Sequence, residues 1–104
     1  MIMSNIYDIL SNLIPVQDFI KFRENGEFLI LMSEKLEIQY LNEVAKDFYL
    51  LINGKRSLKE ITEILLEMYD VERNILEKDI CQLLRDLQWK NLIILKEKKN
   101  EKVY

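Results

Sequence analysis

Side chains suited to chemistry are scarce in this sequence. There is no histidine, which removes the commonest general base and the commonest metal ligand. The single cysteine, Cys81, has no second thiol for a Cys-x-x-Cys zinc or redox site and no imidazole to take its proton. It reads as a packing residue rather than a nucleophile. Carboxylates are plentiful, but they fall at helix starts and on exposed faces; Asp79, beside Lys78, reads as solvated or capping. Two glycines leave no room for a Gly-rich phosphate loop. The expectation is a chain that is not an enzyme and carries no cofactor or metal.

What remains is the chemistry of the backbone itself. Residues 36–41, Leu-Glu-Ile-Gln-Tyr-Leu, alternate apolar and polar for four residues and read as a strand. At the edge of a small sheet, the unpaired amides and carbonyls of such a strand are a template for another chain. Glu37 and Gln39 would discourage self-pairing. The same edge could accept an extended peptide, with backbone hydrogen bonds giving affinity and side-chain pockets giving specificity. On pattern alone, a cover of N-terminal residues fits equally well.

The elements that must position this strand change character near residue 42. Before it, apolar residues are β-branched or aromatic in short runs; after it, they recur at helical spacing. Residues 3–13 suit a short amphipathic helix with Ile6, Ile9, Leu10 and Leu13 on one side, ended by Pro15. A strand over 16–23, the turn Asn25-Gly26 and a returning strand over 28–32 make a hairpin, and Ser33-Glu34-Lys35 turns the chain into residues 36–41. Asn42 then caps a helix running to Asn53-Gly54. Ser57 and Glu60 form a capping box for a second helix with Leu58, Ile61, Ile64, Leu65 and Met68 inward. A third helix over 72–89 turns Leu76, Ile80, Leu83, Leu84 and Leu87 inward, and residues 92–95 close the chain as a short strand or wing. The expected class is α+β: a three-stranded antiparallel sheet followed by three helices in a winged helix-turn-helix arrangement. Residues 1–15 form an extension, 16–95 the domain and 96–104 a charged tail.

Charge weighs against the nucleic-acid use of that arrangement. Residues 1–71 carry seven Lys/Arg against twelve Asp/Glu, and residues 72–91 balance four against four. A DNA-reading helix ordinarily brings several cations to the phosphates, so a winged helix-turn-helix transcriptional regulator is the alternative rather than the first reading. No apolar run approaches the ~20 residues that span a bilayer, and nothing resembles a secretory signal. A lone cysteine gives no sign of an oxidising compartment. The expectation is a cytoplasmic protein without membrane or nucleic-acid partners, monomeric or a homodimer.

The stretch from Leu41 to Leu95 resembles a known family. Leu41-Asn42-Glu43, Asn53-Gly54-Lys55-Arg56-Ser57, Asp79-Ile80 with Leu83-Leu84 and Leu87, and Asn91-Leu92-Ile93 are similar in type and spacing to the PqqD-like family, named for the pyrroloquinoline quinone biosynthesis protein D. The resemblance implies a free-standing recognition element for the leader of a ribosomally made, modified precursor peptide. It further implies that the leader is held as an added strand between the third strand and the third helix and presented to a maturation enzyme. That enzyme would be a radical S-adenosylmethionine enzyme, a lasso-type leader peptidase, a cyclodehydratase or a dehydratase. Carried onto this sequence, the peptide-binding residues are Glu37, Ile38, Gln39, Tyr40 and Leu41 with Lys78, Cys81, Gln82, Leu84 and Arg85. Lys78 and Arg85 beside an apolar seam would suit an acidic, hydrophobic leader.

Overall fold

The computed structural model describes residues 6–19 and 21–97. Along them lie α1 (Ile6–Leu10), β1 (Ile14–Gln17), β2 (Lys21–Asn25), β3 (Phe28–Met32), β4 (Ile38–Leu41), α2 (Glu43–Leu50), α3 (Leu58–Met68), α4 (Arg73–Trp89) and β5 (Ile93–Lys96). The class is α+β, and β2, β3 and β4 form a three-stranded antiparallel sheet in that order. Among the described residues there are four helices: α2, α3 and α4 follow the sheet, and α1, within the short helix expected over 3–13, precedes the strands. The tail beyond residue 97 and the start of the expected first helix lie outside the described residues.

The β2–β3 hairpin turns where Asn-Gly places it. Gly26 has φ +64°, a left-handed conformation that glycine reaches without steric cost, and Asn25 pairs with Phe28. The next turn is built differently. Ser33 is buried, and its Oγ accepts the amides of Lys35 and Glu37, each at 3.2 Å. Leu36 is driven to φ +65°, which costs an L-residue roughly 1–2 kcal/mol. The turn therefore absorbs Leu36 and Glu37, and β4 starts at Ile38 instead of Leu36.

The strand expected over 16–23 divides in two. β1 leaves the sheet and pairs antiparallel with β5, Pro15 opposite Leu95 and Gln17 opposite Ile93. Pro15 thus lies inside a strand, while the helix before it stops at Leu10. The junction is tied by polar contacts at one carbonyl. The Leu92 oxygen accepts the Asp18 amide at 3.0 Å and the Tyr49 hydroxyl at 2.7 Å, and Gln17 Nε2 donates to the Tyr49 carbonyl at 2.9 Å. Burial raises the pKa of Tyr49, so its hydroxyl stays a donor.

The helix signals are realised in detail. Asn42 Oδ1 accepts the Ala45 amide at 3.0 Å. Ser57 and Glu60 exchange both bonds of the capping box, at 2.8 and 3.2 Å. α2 ends at Leu50, before Asn53-Gly54, because Asn53 Oδ1 accepts the amides of Lys55 and Arg56, both at 2.9 Å, and so builds the turn into α3. α4 closes in a Schellman motif: Asn91 sits at φ +59°, its amide reaches the Gln88 carbonyl at 3.0 Å, and the Leu92 amide reaches Leu87 at 2.8 Å.

The core gathers Leu29 and Leu31 of β3, Leu41, Phe48 and Tyr49, the Leu58/Ile61/Leu65 stripe of α3, and Leu76, Ile80, Leu84 and Leu87 of α4. Each such side chain contributes roughly 1.5–3 kcal/mol by leaving water. Met68, expected inward on α3, is exposed, and Thr62 is buried in that helix instead. Thr62 bonds the Leu58 carbonyl at 2.8 Å and receives the Tyr7 hydroxyl at 2.7 Å. Tyr7 is therefore the anchor of α1, with Leu10 packed beside it, while Ile6 and Ile9 face outward. From residue 6 the expected extension is part of the packed body. The Leu13 and Ser11 carbonyls accept the amides of Leu58 and Lys59, both at 2.9 Å.

Candidate functional site

β4 is an edge strand. The Ser33 amide donates to the Glu37 carbonyl at 2.9 Å, and Gln39 and Leu41 face Leu31 and Leu29 in the same register. Antiparallel pairing alternates, so Glu37, Gln39 and Leu41 point their backbone groups at β3. Ile38 and Tyr40 point theirs outward. One outward acceptor is already in use: Lys90 Nζ, at the C-terminal end of α4, donates to the Ile38 carbonyl at 3.0 Å. The same bond shows that the open edge faces α4. Among the described residues the Tyr40 carbonyl has only a long 3.4 Å contact from Gln39 Nε2.

Just past the end of β4, from Asn42 on, a groove of about 550 Å³ lies between α2, α3 and α4, with no residue of β4 itself among the described lining. Val44, Ala45 and Phe48 of α2, Leu65 near the end of α3, and Leu76, Ile80 and Leu83 of α4 give it apolar walls. Tyr69 and Val71 close it between α3 and α4. The Tyr69 hydroxyl donates to Asp47 Oδ2, and that bond, followed by desolvation, pushes its pKa up to about 12. Tyr69 is thereby fixed as a wall rather than offered as an acid or base. The charged lining is all of one sign: Asp70, Asp79 and Asp86, with Gln82 Nε2 donating to Asp86 Oδ1 at 3.3 Å.

The residues expected from the sequence separate into two groups. Ile38 and Tyr40 lie on the open edge with exposed side chains, 42% and 65% accessible, while Glu37, Gln39 and Leu41 belong to the same strand segment with backbone directed inward. Gln82 lines the groove. The other helix residues do not meet it. Leu84, expected at the border of the stripe, is in the core at 1% exposure. Cys81 packs half-buried against the core, and burial, with Glu77 adding to it, pushes its thiol pKa up. Lys78 and Arg85 are exposed, and at 100° per residue they fall on the face of α4 opposite the Leu76–Ile80–Leu84–Leu87 stripe.

The groove residues of α4 missed from the sequence are Leu83, Asp79 and Asp86, and Lys90 continues their row toward the Ile38 carbonyl. They form one i, i+4, i+7, i+11 row along α4. The signal was present, since Leu83 makes the apolar stripe wider than a core alone needs. Which flank of the stripe faces β4 depends on how α4 is rolled about its axis, and no local pattern carries that. Among the described residues no group of three His, Cys, Asp or Glu is placed to hold a metal, and no helix is long and apolar enough to cross a membrane.

No curated protein sequence matches the chain. A solved structure described as "TbiB1 in Complex with the TbiA(beta) Leader Peptide" shares the fold, with a TM-score of 0.66 at 21% identity, covering 82% of this chain and 98% of that one. The family model described as coenzyme PQQ synthesis protein D (PqqD) matches residues 27–93, from the β2–β3 turn through α4 to the start of β5. With well over half its length in that match, this chain belongs to the PqqD family.

Proposed function

We propose that this chain is a non-catalytic adaptor that binds the leader segment of a ribosomally made precursor peptide by strand addition at β4 and presents it to a maturation enzyme. The observation that carries the reading is the open edge of β4, with the outward backbone groups of Ile38 and Tyr40, met by Lys90 at the end of α4 and leading at Asn42 into the apolar groove between α2 and α4. An extended peptide laid there gains backbone hydrogen bonds from the strand and places alternate side chains against the helix. Its other side chains share the outer face of the sheet with Ile38 and Tyr40. Family membership and the leader peptide held by the TbiB1 structure support the same reading.

The helix-turn-helix outline of α3 and α4, with β5 as a wing, would also suit DNA, but the charges do not favour that use. Arg73 is bound by Glu63 at 2.7 Å, with Glu77 at 3.7 Å, and the row of α4 facing β4 carries Asp79 and Asp86. Calorimetric titration of the full chain with precursor peptides encoded beside it, at low and high salt, tests the proposal. The expected result is saturable binding with a shallow salt slope. No binding at peptide concentrations on the order of a hundred micromolar, or steeply salt-dependent binding to duplex DNA, would reverse the reading.

A further inference from the structure

Resting on the leader-binding reading, we infer that the segment taken by this groove carries a cationic side chain, Lys or Arg, between apolar ones, set against Asp79 and Asp86 of α4. The groove is mostly hydrocarbon, yet among the described residues its charged lining is Asp70, Asp79 and Asp86, with no Lys or Arg. Asp79 and Asp86 are seven residues apart on one row, about 10 Å along the helix axis, with Leu83 between them. Neither has an ion-pair partner among the described residues: the bridges formed are Lys46 to Glu24 and Arg73 to Glu63 and Glu77. Asp86 receives only the neutral amide of Gln82.

Among the described residues the other cations of α4 form no ion pair with this row. Lys78 and Arg85 are exposed, about a quarter-turn round the helix from this row, and form no ion pair with Asp79 or Asp86. Lys90, four residues on from Asp86 along the same row, directs its ammonium to the Ile38 carbonyl at 3.0 Å and forms no ion pair with Asp86. A peptide carboxylate entering the groove would thus meet two carboxylates that hold no ion-pair partner, and like charges set close together are rejected. A cation meets the reverse. The sequence expectation of an acidic leader, drawn from Lys78 and Arg85, changes sign once α4 is oriented.

The test uses a displayed library of random 16-residue peptides selected against the full-length chain, then against D79N/D86N and D79K/D86K variants. The substituted positions lie outside the core, and thermal melting checks that each variant stays folded. Peptides enriched on the native chain are expected to carry Lys or Arg among apolar residues. The best of them should bind D79N/D86N about tenfold more weakly. Its Arg→Gln or Lys→Gln form should bind native and D79N/D86N proteins alike, and selection on D79K/D86K should turn to Asp and Glu. Enriched peptides that shift the amides of Ile38 and Tyr40 but show no charge preference overturn this inference and leave the leader-binding reading standing. Enriched peptides that leave those amides unmoved, or no enrichment, overturn both.

Discussion

The two strand systems of the molecule treat their backbone in opposite ways. Around the β1–β5 pair polar groups are matched within the chain: the Leu92 carbonyl takes two donors, the Tyr49 carbonyl takes Gln17, and the Leu13 and Ser11 carbonyls take the start of α3. Around β4 the pairing stops at one edge, and among the described residues the only strong donor to it is Lys90 on Ile38. Buried backbone groups are nearly always matched, so the closed system is what stability requires. An edge left open toward an apolar groove is what recognition requires. The contrast implies that substitutions in the closed system move stability and that those at the open edge move binding.

The largest effect should come from the closed system. Tyr49→Ala removes a fully buried ring and the hydroxyl on Leu92, and chemical denaturation should show a loss of about 3–5 kcal/mol. Deleting residues 1–13 takes Tyr7 out of the core and leaves Thr62 without its partner, so the truncated chain should lose about 3 kcal/mol or more. If truncation instead left stability intact and tightened peptide binding, the N-terminal segment would be a cover for the open edge. Tyr40→Ala, on an exposed side chain, should change stability by less than about 0.5 kcal/mol while weakening peptide binding about tenfold. Equal effects on both would erase the distinction between the two systems.

Smaller changes sharpen it. Leu36→Gly relieves a left-handed φ in the turn before β4, and the melting temperature should rise by a few degrees, corresponding to up to about 1 kcal/mol. Lys90→Met frees the Ile38 carbonyl from an exposed donor worth little in water, so peptide affinity should rise by about threefold or less. A fall in affinity would make Lys90 a contact to the bound peptide rather than a competitor for the strand.

Local chemistry was legible in the sequence, and long-range partnership was not. Asn25-Gly26, the Asn42 cap and the Ser57–Glu60 box each act over a few residues, and each is found where the pattern puts it. The division of residues 16–23 into β1 and β2 depends on Ile14 meeting Lys96, some eighty residues away, and no local periodicity records it. α1 shows the same limit. Its apolar pattern promotes Ile6 and Ile9, but Tyr7 is buried because Thr62 supplies a partner for its hydroxyl. At the candidate site the strand was identified from its alternation, whereas the helix face was not. A 17-residue helix with polar residues on both flanks of its stripe does not announce which flank looks at the sheet.

The central claim is that the free edge of β4 accepts a peptide strand, and backbone amide exchange tests it most directly. In the free chain the amides of Gln39 and Leu41, paired with β3, should exchange slowly, and those of Ile38 and Tyr40 quickly. With a precursor peptide at saturation, Ile38 and Tyr40 should become protected together with peptide amides at every second position. Saturable binding that leaves Ile38 and Tyr40 exchanging as fast as before would contradict strand addition at this edge.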